Sequence, residues 1–291
     1  MNYLNQLEKA VMFIENNLSE DIKVEEIASA AGYSYYHFHR VFEAVLGETL
    51  GNYIRSRRLN RAANDLLYTD RRILDIAIAY QFNSQEAFHR AFKKNFKVSP
   101  ATYRKNRIDA FIGKKNELTL MRLKHLSDGL TIQPSLRQIE AVRLIGLRYK
   151  TTLHKNRAPE MWNVFNSRVH EITNRVGTVR AYGICEADSA FNLSEFNVNS
   201  EFSHFIGTEV SSFHEIPQGM NAKTLAGGKY AVFTHKGKMN NLKMTYDYIW
   251  GTWALCSGFE IDMRDDFDYY DERFLGRDND LSEFDICIPV K

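Results

Sequence analysis

The side chains best suited to chemistry fall in two runs fifty positions apart. Phe38-His39-Arg40-Val41-Phe42 recurs as Phe88-His89-Arg90-Ala91-Phe92, and Tyr53-Ile54-Arg55 is echoed by Tyr103-Arg104-Lys105 at the same offset. In the first run Phe38, Val41, Phe42 and Val45 keep the i, i+3, i+4, i+7 spacing of one helix face, which leaves Tyr36, His39 and Arg40 together on the other side. In the second, Phe88, Ala91 and Phe92 form the buried stripe while Gln85, Glu86, His89 and Arg90 face outward. Such faces offer hydrogen-bond donors and acceptors, the chemistry of recognition rather than of bond making. A third group is cationic, with Arg55, Arg57, Arg58 and Arg61 crowded into one helical stretch. A fourth is acidic and aromatic: strand alternation puts Asp268 and Tyr270 on one face and Phe267 and Tyr269 on the other.

The elements that must hold the first two groups read as helix, turn, helix, twice. Upstream of the recurring runs, Glu26 to Tyr33 corresponds to Asp75 to Phe82 with one residue of slippage, placed in a turn. Val24 to Ala31 is a short helix closed by Gly32, and Ser34 caps the next helix, which runs to about Leu46. In the second copy Ile73 to Tyr80 precedes a turn at Gln81-Phe82-Asn83, where Asn83 with Glu86 three residues on resembles a capping box. Thr49 to Leu67 is a long helix between the copies. It can hold two outward helices about 34 Å apart, the distance between successive major-groove segments on one face of B-DNA. Ser99-Pro100 opens a last helix, Ser as cap and Pro at the first position.

With GYSYYHFHRVF, GETLGNYIRSRRLNRA, ILDIAIAYQF and SQEAFHRAFKKNFKVSPATYRK in place, residues 4 to 107 resemble the AraC/XylS-type DNA-binding domain of bacterial transcription regulators. The resemblance implies that the helices at Ser34 to Leu46 and Ser84 to Phe96 are the two recognition helices, with Tyr36, His39, Arg40, Gln85, Glu86, His89 and Arg90 toward the base edges. Arg40 can then pair bidentately with guanine, Gln85 with adenine, and Glu86 can accept from cytosine N4, while Tyr36 rests on a thymine methyl or the sugars. Ser34, Arg55, Arg57 and Arg58 are expected on phosphates, setting register and salt dependence. For each outward residue simple solvation is the alternative, and Arg90 could equally brace its own domain through an ion pair.

Residues 108 to 136 read as a connector, with polar clusters at Lys114-Lys115-Asn116 and Ser127-Asp128-Gly129 around LTLMRLKHL. Beyond it, IEAVRLIGLRYKTT and KYAVFTHKGKM read as β-rich segments, each followed by a helical pattern at Pro159 to Val176 and Asn241 to Ser257. VRAYGICE, and then FDYYDERF with FDICIPV, close two pseudo-symmetric strand-helix-strand-strand units. The fold expected is therefore multidomain: an all-α tandem helix-turn-helix domain over 1–107, the connector, and an α+β domain over 137–291. With APEMWNVF, RAYGIC, GKYAVFTHKG and DDFDYYDERF, this second part resembles the GyrI-like effector-binding domain, whose cleft binds small apolar or cationic molecules around an acidic residue ringed by aromatics. A carboxylate among Tyr and Trp rings holds an organic cation by Coulomb attraction and ring-face electrostatics. That family usually has Glu where this chain has Asp268. Candidate wall residues are Trp162, Phe165, Tyr182, Tyr230, Trp253 and Tyr270 around Asp268, against the alternatives of plain core packing for the rings and of a carboxylate paired with Arg264 or Arg273.

Bulk composition is compatible with this reading. Residues 1 to 115 carry 18 Lys+Arg against 13 Asp+Glu and residues 116 to 291 carry 20 against 23, so a net charge of +2 hides a basic front and a mildly acidic back. Apolar residues at 44% and charged residues at 25% are globular values. Cys185, Cys256 and Cys287 form no CxxC pair, which fits buried thiols in a reducing compartment and supports no cysteine metal site. No signal peptide or apolar run of membrane-spanning length is read, and a cytoplasmic location is expected. The partners expected are double-stranded DNA, a small-molecule effector and RNA polymerase, with the chain a monomer on DNA and no cofactor or metal. The alternatives are a back domain that hydrolyses small molecules or that binds a protein.

Overall fold

A computed structural model describes residues 3–108, 112–177, 180–187 and 199–291. It separates into two compact units: the described residues up to Ile132 together with Asn241–Gly258, and the remaining described residues. The segment Asn241–Gly258, assigned by sequence to the second domain, thus groups with the first.

The first unit is helical. It runs through α1 (Tyr3–Asn16), α2 (Val24–Ala30), α3 (Tyr35–Leu46), α4 (Leu50–Tyr68), α5 (Ile73–Ala79), α6 (Gln85–Phe96), α7 (Pro100–Lys105) and α8 (Leu120–Asp128). The two expected helix-turn-helix copies are α2–α3 and α5–α6, and α4 joins them. At 19 residues α4 is about 28 Å long. The repeat extends to the packing of rings. Phe38–Phe42 and Phe42–Tyr53 lie 5.5 and 5.7 Å apart, and their counterparts Phe88–Phe92 and Phe92–Tyr103 lie 5.4 and 5.3 Å apart. All six rings are buried, so each outward face is oriented by an aromatic stripe one helix-width beneath it.

Caps set the entry of each helix. Ser99 Oγ accepts from the Thr102 N–H with Pro100 at the first helical position, as expected. In the second copy the cap is Ser84, whose Oγ accepts from the Ala87 N–H at 3.1 Å, rather than Asn83. The turns also differ between copies. Gly32 and Gly47 take left-handed backbone in the first copy, and the matching positions of the second are Gln81 and Lys97, at φ 63° and 64°.

The connector is more structured than a linker. It contains α8, and Lys115 in its polar cluster is buried.

The second unit is an eight-stranded antiparallel sheet made of β1 (Ser135–Ile139), β2 (Val142–Thr151), β3 (Ala181–Cys185), β4 (Phe202–Glu209), β5 (Asn221–Leu225), β6 (Gly228–Lys236), β7 (Asp266–Tyr270) and β8 (Glu283–Pro289). α9 (Ala158–Arg168) lies between β2 and β3 in sequence and ends about two turns earlier than the Pro159 to Val176 pattern suggests. Val179, the first residue of the expected VRAYGICE strand, lies outside the described residues. Strand order β1-β6-β8-β7-β3-β4-β2-β5 is a palindrome in which each half supplies four equivalent strands, so the expected pseudo-symmetry is present. Each half has an additional opening strand, β1 or β5, and the first half closes on β4, which the sequence reading did not identify.

One sheet face gathers Leu144, Tyr182, Ile184, Phe205, Leu225, Tyr230, Val232, Phe267 and Cys287 into a core. Leu225 of β5 and Tyr230 of β6 belong to the same core although their strands stand toward opposite ends of the order, so the sheet is curled around it. The other face carries Ile145, Leu147, Tyr149 and Ile206 against Phe165, Met161 and Trp162 of α9.

Candidate nucleic-acid interface and effector cleft

The first candidate reading face consists of side chains projecting from α3. Tyr36 is 81% exposed and Tyr35 40%, the two rings 5.4 Å apart and edge-on. Arg40 is exposed one turn on. His39 is different: it is half-buried with its ring 4.8 Å from Tyr35, and its Nε2 is buried without a hydrogen-bond partner. Ser34 is the exposed N-cap of α3, and its hydroxyl makes no capping bond. In the second copy Gln85, Glu86, His89 and Arg90 are all exposed and line one open concavity. Hydrogen bonds from its own backbone and from Ser84 hold the Glu86 carboxyl below its usual proton affinity, with Arg90 one turn away adding to the effect.

The arginine row divides. Arg55 is exposed. Arg57 is 6% exposed, with Nε and Nη2 donating to both oxygens of Glu15 at 2.6 and 2.7 Å and Nη1 donating to the Lys115 carbonyl. Its guanidinium is therefore fully engaged inside the unit, and the expected phosphate role is corrected to a structural one. Arg58 donates to the Leu18 and Glu20 carbonyls at 2.8 and 2.6 Å, just past the end of α1. It too braces the unit, where the sequence suggested a phosphate ligand. The sequence could not show either pairing, because the partners lie about forty residues upstream.

In the second unit the central pair β3–β7 carries the acidic group. Register sets Gly183 opposite Asp268, Cys185 opposite Asp266 and Tyr182 opposite Tyr269. Asp266, Asp268 and Tyr270 therefore share a face with Gly183. A Cβ built on Gly183 would lie 3.4 Å from Trp162, 3.7 Å from His204 and 3.9 Å from the Asp268 Cβ, so these three groups converge over the glycine. Tyr270 donates its hydroxyl to Asp268 at 3.4 Å and stands 5.2 Å from the Trp162 ring, which in turn is 6.0 Å from Phe165. Arg264 commits its guanidinium to Asp262 and to the Gly227, Lys229 and Val290 carbonyls, and Arg273 bonds Asp271 and Asp285.

The aromatic wall drawn from sequence is thereby split. Trp162, Phe165 and Tyr270 accompany Asp268. Tyr182 and Tyr230 lie on the opposite sheet face, in the core with Phe267, because Tyr182 pairs with Tyr269 and shares its orientation. Tyr230 is fully buried, its hydroxyl bonded to the Ala226 carbonyl and its ring covered by Arg264 at 4.7 Å. Trp253 is buried in the first unit. Tyr182, Tyr230 and Trp253 are therefore corrected from wall to packing.

Three residues missed by the sequence reading join the site. Asp266 sits two positions before Asp268 on the same face, a relation the D-x-D-x-Y alternation already contains. Burial, reinforced by Asp268, pushes its carboxyl up to about 7. His204 is pushed down to about 4 by burial, and its Nδ1 meets the Tyr149 hydroxyl at 2.9 Å. Nothing near His204 or Tyr149 in sequence signals this pair; it forms because β2 and β4 set the two residues opposite each other. Burial raises the Cys185 thiol well above its ordinary value, which makes it a poor nucleophile at neutral pH. Among the described residues no three His, Cys, Asp or Glu side chains gather as a metal site, and no helix is long and apolar enough to cross a membrane.

Comparison with known proteins divides the chain in sequence order, so that Asn241–Gly258 falls in the second match although it groups with the first unit. Residues 135–290 match the model of the integron-associated effector binding protein family, and residues 27–106 match a helix-turn-helix domain. The chain is 46% identical over 117 residues to the HTH-type transcriptional regulator YbfP of Bacillus subtilis, covering 40% of this chain and 39% of that protein. It is 45% identical over 96 residues to the transcriptional regulator Rob of Salmonella typhimurium, covering 33% of each. The matched part is thus well under half of either relative. Among solved structures, an integron cassette protein of Vibrio cholerae aligns with 56% of this chain and 97% of its own length, at 16% identity and a TM-score of 0.41.

Proposed function

The chain belongs to the integron-associated effector-binding family and joins that domain to an AraC-type helix-turn-helix region in a DNA-binding transcription regulator, and we propose that it reads one duplex site with both copies while an organic cation at Asp268 sets its activity. The regulators among its relatives, matched over the helix-turn-helix part, support a role in transcription over an enzymatic one. Both reading helices are present in one chain, so it acts as a monomer on DNA, where it meets RNA polymerase.

The observation that supports the base-reading role is the duplication itself: two helices with the same buried aromatic stripe expose Tyr36 and Arg40 in one copy and Gln85, Glu86, His89 and Arg90 in the other. Arg55 is the row's phosphate ligand, and Ser34 with its uncommitted cap hydroxyl adds a second. Selecting bound duplexes from a random pool tests this reading. Two conserved blocks about one helical turn apart are expected, and a single block, or none, defeats it.

The effector reading rests on the convergence of Asp268, Trp162 and His204 over Gly183, with Tyr270 against both Asp268 and Trp162. A carboxylate beside ring faces, partly removed from water, favours a delocalised organic cation. Titration with tetraphenylphosphonium, read by Trp fluorescence and by the melting temperature, is expected to show saturable binding that weakens about tenfold or more in Asp268→Asn. Equal binding by wild type and variant would remove the carboxylate from the site.

A further inference from the structure

The helical segment between β6 and β7 consists of α10 (Leu242–Tyr248), a π-helical turn Ile249–Trp253 and the short α11 (Ala254–Cys256). It lies inside the stretch matched as the effector-binding family, yet it is built into the helical unit. Its attachment there is polar and buried. Lys115 Nζ donates to Glu48 and to the Thr252 hydroxyl, and all three residues are at most 7% exposed. The Trp250 carbonyl accepts from the Gly113 N–H at 3.2 Å. His125 meets the Thr245 hydroxyl at 2.7 Å, and Asn116 and Arg122 both reach Asp247 at 2.9 Å.

Two glycines let this segment approach so closely. A Cβ on Gly251 would fall 2.4 Å from the Lys114 carbonyl oxygen, and one on Gly47 would fall 2.3 Å from the Tyr248 hydroxyl. Gly47 is the left-handed C-cap of α3, the first reading helix, and Glu48 is the next residue. The π-turn is the part of the segment that meets Gly113, Lys114 and Lys115, where a widened turn is commonly kept for function. Both ends of the segment continue directly into chain that belongs to the sheet unit.

We propose that Leu242–Cys256 is the transmission element of this regulator, its docking through Thr252, Lys115 and Glu48 and through Tyr248 against Gly47 setting the position of α3 and hence the affinity for DNA. The proposal rests on the DNA-reading role of α3. It places the control point on a segment whose sequence belongs to the effector-binding domain, so no separate linker motion is required. A ligand acts on DNA affinity to the extent that it binds the docked and undocked forms unequally. By linkage, DNA must favour docking as much as docking favours DNA.

The experiment uses the full chain and a duplex selected from a random pool. Gly251→Ala removes the close approach, and Thr252→Val deletes only the hydroxyl that Lys115 contacts. DNA affinity of the folded protein is expected to fall about tenfold in Gly251→Ala and by a smaller factor in Thr252→Val. In the wild type, duplex binding is expected to slow amide hydrogen exchange across residues 249–256, and the response is expected to vanish in Gly251→Ala. A merely stabilising helix would lower the melting temperature and change neither readout. Wild-type affinity in folded Gly251→Ala overturns the proposal, as does the same result in Thr252→Val if the alanine chain does not fold, or wild-type exchange indifferent to duplex. A wild-type chain that binds no duplex instead defeats the DNA-reading role beneath it.

Discussion

Replacing Arg57 by Met separates a buried brace from a phosphate ligand. In the folded chain Arg57 makes two charge-assisted bonds to Glu15, at 2.6 and 2.7 Å, and a third to the Lys115 carbonyl, while the Glu15 side chain is 4% exposed. Met fills most of the volume but leaves the Glu15 carboxylate buried without its main partner, an arrangement that costs about 3–5 kcal/mol. Tyr53 at 3.2 Å and Arg61 at 3.4 Å still reach that carboxylate, which places the expected loss near the lower bound, about 3 kcal/mol. Urea unfolding measures it, and Arg57→Met/Glu15→Met should regain a large part, because no charge is then stranded. Salt dependence of duplex binding supplies the second readout. The folded Arg57→Met chain should keep the wild-type slope of log affinity against log salt, whereas Arg55→Ala should reduce it by about 0.9. An unchanged unfolding midpoint in Arg57→Met, or a slope reduced as in Arg55→Ala, would refute the assignment.

Further outcomes are expected from other positions. Lys97→Gly should stabilise the helical unit by about 0.5–1 kcal/mol, since Lys97 sits at φ 64° where the first copy has Gly47, and a lower melting temperature would contradict this. Arg40→Ala should cost about 1–3 kcal/mol of DNA affinity and relax one base position in a selected site, and an untouched preference would exclude base reading by Arg40. From about pH 4 to 6.5 His204 and Asp266 contribute opposite slopes to stability. His204, lowered to about 4 by burial, withholds a proton that the unfolded chain binds, so its contribution is lost as pH falls through that window. Asp266, raised to about 7, keeps a proton that the unfolded chain releases, so its contribution is lost as pH rises. Asp266→Asn should therefore uncover the histidine slope, leaving the protein about 2 kcal/mol less stable at pH 5 than at pH 7, and a flat profile would reject that pairing.

Legibility followed the range over which each physical cause acts. The tandem fold was readable because helix periodicity and the offset of fifty both operate along the chain, and the same rings meet at nearly the same distances in both copies. The Asp268–Tyr270 face was readable for the same reason, being a property of one strand. Tyr182 and Tyr230 were misplaced because alternation assigns sides only within a strand, and the register with Tyr269 is what transfers a side from β7 to β3. Arg57 was misread because a guanidinium on a basic helix becomes a phosphate ligand or a brace according to whether a carboxylate from another element reaches it, and Glu15 does so across 42 positions. Lys115 follows the same rule. In the sequence it is one of two adjacent lysines in a polar stretch, and only the approach of Glu48 and Thr252 turns it into a buried charge. The residues that changed role between sequence and structure are thus those whose partners arrive from distant parts of the chain, which is also the property a residue needs in order to carry a signal from one part of the molecule to another.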